Sequence, residues 1–172
     1  TLTLQSGTGT TTFSSGLGTG DADMLSAVTL TNAGATSFNG AVNLSGALTQ
    51  TNAATGLTTF ADTVSLGSAD LKGTTFAVNN SFGSGGTTAF DNSGVLTKSA
   101  TGAVTSTGAF STTGDVNLAQ NITTTDTNLQ IGGALTLAEA STVTLSTGSG
   151  TAGNITLSGS VDGTDGGSVE TL

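Results

Sequence analysis

Six residue types are missing from this chain: proline, cysteine, tryptophan, tyrosine, histidine and arginine. Each gap removes a class of answer. Without His or Cys, the Ser-His-Asp and Cys-His nucleophilic sites have no parts. His/Cys metal centres lack ligands for the same reason. The lack of Cys also leaves no disulfide evidence in either direction. Positive charge is almost as scarce, since Lys72 and Lys98 stand against 11 acids for a net charge of −9. Nucleic-acid binding needs clustered Lys and Arg, so it is excluded as a function. Attraction to anionic lipid fails on the same ground. The acids are scattered and read as solubilising surface charge. No apolar run approaches the roughly 18 residues of a membrane-spanning helix, so membrane insertion is not expected. The chain begins at Thr1 with no Met and no visible leader. The expectation is a processed or excised piece of something longer.

Small residues fill the space left by these gaps. There are 38 Thr, 20 Ser and 27 Gly among 172 residues. A flexible linker or disordered chain would combine low hydrophobicity with high charge. Here mean hydropathy is +0.17 and charged residues are 8%, with Val, Ile, Leu and Phe recurring in short clusters. Thr, Ser and Gly are poor helix formers, and no window carries an apolar stripe at helical spacing. Thr, Val and Phe favour strands, while Gly, Asn and Asp favour turns. The fold class is therefore all-β.

An apolar-polar-apolar triplet recurs along the chain. It occurs at Val28-Thr29-Leu30, Val42-Asn43-Leu44, Val64-Ser65-Leu66, Val116-Asn117-Leu118, Val143-Thr144-Leu145 and Ile155-Thr156-Leu157. In a strand, alternate residues share a face, so each triplet sends two apolar side chains inward and one polar side chain outward. Residues 36–44 (TSFNGAVNL) and 58–66 (TTFADTVSL) match at a separation of 22. The spacings between triplets are irregular, at 14, 22, 52, 27 and 12. One triplet buries too little to be stable alone, and stacking such units into a column solves that problem. The absence of Pro agrees, because every interior strand of a column needs its N–H for the ladder. The spacing predicts a single parallel β-solenoid over residues 1–172. At about 20 residues per coil it would have about eight or nine coils and a rod length of about 40 Å. An antiparallel sandwich would want aromatic anchors and Asn-Gly or Asp-Gly hairpins between matched strands. The seven Phe read as core fillers stacked along the column, with Phe82 and Phe90 marking a distortion or an end.

Residues 28–44 (VTLTNAGATSFNGAVNL), 153–163 (GNITLSGSVDG) and 2–13 (LTLQSGTGTTTF) resemble the repeats of filamentous-haemagglutinin-like giant adhesins. The resemblance covers nearly the whole chain and is one of style, carried by degenerate motifs. It implies a right-handed parallel β-helix and export across an outer membrane to a cell-surface or extracellular life. It further implies a shaft whose contacts with host or neighbouring cells lie in other regions. Joining the end of the chain (VDGTDGGSVETL) to its start (TLTLQSG) continues the strand pattern. Neither end reads as a cap. These features predict one unit or fragment of a longer array, continued end to end by self-association or by further coils.

Chemical sites are few. A glycosidase needs two carboxylates about 5 to 9.5 Å apart, and the candidate pairs are Asp21 with Asp23 and Asp162 with Asp165. Sugar-binding Trp, Tyr and Arg are all missing, so the pairs read as surface turns and no enzyme activity is expected. Residues 161–168 (VDGTDGGS) place Asp162 and Asp165 in a Gly-rich turn that suits a hard cation such as calcium. The stretch matches neither an EF-hand nor a calcium-roll repeat, so the expectation is no metal and no cofactor. Ranked Thr on a flat solenoid face raises one alternative function, ice binding. The Thr runs 10–12, 58–59, 74–75, 87–88 and 123–125 are the sequence basis for it.

Overall fold

The computed structural model describes residues 1–19, 25–32, 34–151, 153–164 and 169–172, leaving aside the side chains at 32 and 52–55. It is a parallel β-solenoid with three faces. The first face stacks β1 (Leu2–Gly7), β3 (Val28–Asn32), the start of β6 (Ala47–Phe60) and the start of β8 (Ser68–Val78). It continues through β10 (Thr88–Asn92), β13 (Phe110–Thr112), β16 (Leu129–Ile131) and β19 (Ile155–Leu157). The second face stacks β2 (Thr11–Phe13), β4 (Thr36–Phe38), the ends of β6 and β8, β11 (Val95–Lys98), β14 (Asp115–Leu118), β17 (Leu135–Leu137) and β20 (Val161–Gly163). The third carries β5 (Val42–Asn43), β7 (Val64–Leu66), β9 (Phe82–Ser84), β12 (Val104–Ser106), β15 (Ile122–Thr124) and β18 (Leu145–Ser146). Every described strand pairing is parallel.

Six turns have a strand on all three faces, fewer than the eight or nine coils expected. Among the described residues, the turn at either end has strands on two faces and on the third an isolated bridge, Leu17 with Val42 and Thr142 with Thr171. Register partners Leu2 and Val28, and likewise Leu129 and Ile155, lie 26 residues apart. Successive partners between them (Val28, Leu48, Ala69, Thr88, Phe110, Leu129) lie 19 to 22 apart. The two long turns use residues that an even coil would have spent on further levels. With eight strands on the first face, the column is about 34 Å long at about 4.8 Å per level.

The face assignment also accounts for the uneven triplet spacing. Val28 and Ile155 belong to the first face, Val116 to the second, Val42 and Val64 to the third. Only the step of 22 from Val42 to Val64 compares like with like, and these two are register partners. The triplet residues do point inward: Val28, Leu30, Val42, Leu44, Val64, Leu66, Val116 and Leu118 are all buried. Toward the end of the column burial weakens: Leu145 and Leu157 are half-buried and Ile155 is 46% exposed.

Phenylalanine forms a continuous path through the core. Phe13, Phe38 and Phe60 stack face to face on the second face, at 4.8 and 4.9 Å. Beneath Phe60 the second face places Val78 instead. The aromatic path then crosses to Phe82 on the third face, edge-on at 5.5 Å, and to Phe90 and Phe110 on the first, at 5.5 and 6.1 Å. Phe82 and Phe90 therefore mark neither an end nor a break. They are where the aromatic path changes faces.

Glycine shapes two of the three corners. Gly46, Gly67, Gly86 and Gly108 follow one another down the corner between the third and first faces, where Gly67 donates to the Gly46 carbonyl (2.8 Å) and Gly108 to that of Gly86 (3.0 Å). A Cβ on Gly108 would come within 2.7 Å of the Gly86 carbonyl carbon. Gly94, Gly114 and Gly133 follow one another in the same way between the first and second faces, where Gly133 donates to the Gly114 carbonyl (3.1 Å). The chain turns so tightly there that backbone packs on backbone, which only glycine permits.

Candidate functional site

Of the acids nominated from sequence, Asp162 lies on β20 and faces outward. Its Oδ1 accepts the N–H of Gly163 at 3.0 Å, so it closes its own turn. Asp165, Asp21 and Asp23 lie outside the described residues. Among the described residues, no three His, Cys, Asp or Glu side chains converge as metal ligands would.

Four other acids and amides share a different task, which sequence reasoning missed. Asp115 Oδ1 accepts the Ala134 N–H at 2.8 Å, and Asp126 Oδ1 that of Gly150 at 2.9 Å. Asn121 Oδ1 accepts from Thr144 N (2.7 Å) and Asn128 Oδ1 from Asn154 N (2.9 Å). In each case the donor lies on the next turn. These side chains staple one turn to the next at the corners, where the ladder hydrogen bonds are interrupted. A backbone N–H left without a partner there would be costly if buried. The sequence signal was present as an Asn or Asp in one turn followed, about one coil later, by a turn residue.

The interior holds polar groups as well. Gln50 is fully buried on the first face; its Nε2 donates to the Lys72 carbonyl (2.8 Å) and its Oε1 accepts from Thr58 (3.1 Å). Asn92 is buried at a corner, donating to the carbonyls of Gly94 (2.8 Å) and Asp115 (3.0 Å) and accepting from Gly114 N (3.1 Å). Lys98 is 2% exposed, between Val78 and Leu118 in the inward row of the second face. Its Nζ donates to the carbonyls of Ser99 (3.0 Å) and Thr101 (2.7 Å). Burial lowers its pKa from 10.5 to about 8. Gln50, Asn92 and Lys98 have thus found partners, as most buried polar groups do, whereas the Oγ1 of buried Thr112 has none.

The hydroxyls divide between core and surface. Thr36, Thr58, Thr88, Thr112 and Thr124 are buried, so Thr is not simply an exposed strand residue here. In the pairs 58–59 and 87–88 one Thr is buried and the other is not, whereas Thr74 and Thr75 are both half-buried inside β8. Two surface patches align Thr over Thr. On the first face Thr29 is in register with Thr49, and Thr31 lies 3.4 Å, Oγ1 to Oγ1, from Thr51. On the third face Thr105 is in register with Thr123. Thr107 and Thr125 follow two residues further on. The first-face patch gives way to Asp70 and Lys72 in the next turn. No charged residue occurs in any strand of the third face.

No family model matches the chain, and no match is found among the curated proteins or the solved structures.

Proposed function

We propose that the chain is a structural shaft segment of a filamentous, adhesin-like protein, secreted to or held at the bacterial cell surface, without catalytic activity. The observation that supports this reading is the constancy of the cross-section. The same three faces recur from turn to turn, so the rod lengthens by adding turns and needs no new element. Recognition of host or neighbouring cells then belongs to other regions of the fibre. Electron microscopy and fibre diffraction of native material test this. The expected result is rods with an axial reflection at about 4.8 Å. A compact, non-fibrous particle in the native source would overturn it.

The aligned Thr-x-Thr pairs support a second reading, a surface that orders water and binds ice. The first-face row is three turns deep (Thr3, Thr29, Thr49) and the third-face row two (Thr105, Thr123), a small part of the column, which is why the shaft reading stands first. Thermal hysteresis separates the two: a shaft leaves ice growth unchanged, whereas an ice binder reshapes crystals at low concentration.

A further inference from the structure

Asparagine followed by a small residue is chemically labile, because the next main-chain nitrogen can attack the side-chain amide carbon. A fold either keeps those two atoms apart or holds them together. Asn92, Asn121 and Asn128 turn their Oδ1 away, to the N–H groups of Gly114, Thr144 and Asn154 on the next turn. Asn80 does the opposite: its Oδ1 accepts the N–H of Ser81, the residue that follows it, at 2.8 Å. The amide carbon is one bond from that oxygen, so the nitrogen stands beside the atom it would attack. Neighbouring turns hold both partners in this arrangement. Asn80 lies in the corner between β8 and β9, one level from Asp62 in the corner between β6 and β7. Asn80 Nδ2 donates to Asp62 Oδ1 at 3.5 Å, which sets the amide with its oxygen toward Ser81. The Ser81 carbonyl accepts from Val64 N at 2.9 Å. Gly102 of the following turn packs on the other side, where a Cβ would lie 2.6 Å from Ser81 N. Asn80 is half-buried and Ser81 exposed, so water reaches the pair. Asp62 has the same local geometry, with Thr63 N donating to its Oδ1 at 2.7 Å, but an ionised carboxylate resists attack.

We propose that Asn80 is a self-modification site, deamidated by its own main chain. Ser81 N gives up its proton to a solvent base and bonds to Asn80 Cγ. The Cγ–Nδ2 bond breaks, and Nδ2 takes a proton from water and leaves as ammonia. Solvent water then opens the five-membered imide at either carbonyl. One product is aspartate; the other is isoaspartate, which adds a methylene to the main chain of the corner. Both add a negative charge, and the aspartate faces Asp62 where the amide had donated a hydrogen bond. Like charges then oppose each other from level to level, and the corner joining β8 to β9 loosens as the protein ages.

Peptide mapping by mass spectrometry tests it, on the native chain and on the chain unfolded in urea, both held at mildly alkaline pH. Folding slows such a reaction wherever it must wait for local opening. Asn121 and Asn128 are therefore expected to deamidate at least about tenfold more slowly in the native chain than in urea. Asn80 is expected to deamidate at least as fast in the native chain as in urea. The Asn39-Gly40 pair, the most labile by sequence, gives the scale in urea. A native rate at Asn80 that falls in step with those at Asn121 and Asn128 overturns the proposal. The consequence is read separately by thermal melting. Asn80→Asp, which installs the aspartate product, is expected to melt below wild type, and adding Asp62→Asn is expected to recover the loss. An Asn80→Asp chain that melts with wild type overturns the loosening of the corner.

Discussion

Lys98 makes this solenoid more stable in alkali, the reverse of common experience. Its ammonium is held in the core, and burial lowers its pKa from 10.5 to about 8. Between these values the unfolded chain binds the proton and the folded chain does not, so stability rises with pH. The contribution of the neutral amine is complete above about pH 10.5 and is lost as pH falls to about 8. At about 1.36 kcal/mol per unit, the difference between 10.5 and about 8 comes to about 3 kcal/mol. The window is unusually clean because the chain has no His, Cys or Tyr to titrate nearby. The control is Lys98→Met, which keeps an unbranched stem of similar length and removes the charge. The Ser99 and Thr101 carbonyls lie at a corner, where water replaces the lost donor. Urea unfolding followed by circular dichroism from pH 7 to 10.5 is expected to show the wild-type midpoint climbing. The variant's midpoint is expected to stay flat and to exceed wild type at pH 7 by about 1–3 kcal/mol. A flat or falling wild-type curve would refute the reasoning, as would a variant that climbs as steeply.

Three further substitutions probe the core and corners. Phe38→Ala removes the middle ring of the Phe13–Phe38–Phe60 stack and is expected to cost about 3–5 kcal/mol in chemical denaturation; a loss under about 1 kcal/mol would mean the column collapses around the gap. Gly114→Ala drives a Cβ into the Asn92 carbonyl and to 2.6 Å from that of Gly94. It is expected to destabilise by more than the ordinary gain of about 0.4–1 kcal/mol that Gly→Ala brings elsewhere, so a neutral or stabilising result in thermal melts would contradict the packed corner. Asn92→Ala removes the acceptor of Gly114 N and a donor to the Gly94 and Asp115 carbonyls at a buried corner, for an expected loss of about 1–3 kcal/mol. Hydrogen exchange at Gly114 should accelerate, and unchanged protection there would count against the staple.

The triplets announced the fold because strand alternation is local. Val42-Asn43-Leu44 over Val64-Ser65-Leu66 could be read as two levels of one column from composition and spacing alone. The number of turns could not, since which face a triplet occupies depends on corner length, and corners vary. The interior polar groups were hidden for a related reason. Lys98 sits at an inward position by register with Val78 and Leu118, and only the register distinguishes it from a surface lysine such as Lys72. Inward Thr at 36, 58 and 88 escaped notice because a small hydroxyl that can reach a buried acceptor is tolerated where a larger polar group is not. Nor did the Phe82 and Phe90 irregularity indicate an end: the aromatic path moves from one face to another, a three-dimensional event with no signature along the chain.

The ladder hydrogen bonds of this column run along its axis, because each strand pairs with the level above and below. Tension applied along that axis therefore pulls directly on a short edge, a few bonds at a time, instead of shearing a whole sheet. The structure yields by unwinding, one turn after another, from the end under load. Each released turn contains 19 to 26 residues between register partners. At about 3.4 Å per extended residue that is roughly 65–90 Å of new length from a level only about 4.8 Å thick. Single-molecule pulling would read this as a train of small, similar steps, and one cooperative rupture would contradict it. A column of such turns therefore lengthens many-fold by unwinding before any bond along the chain itself is strained.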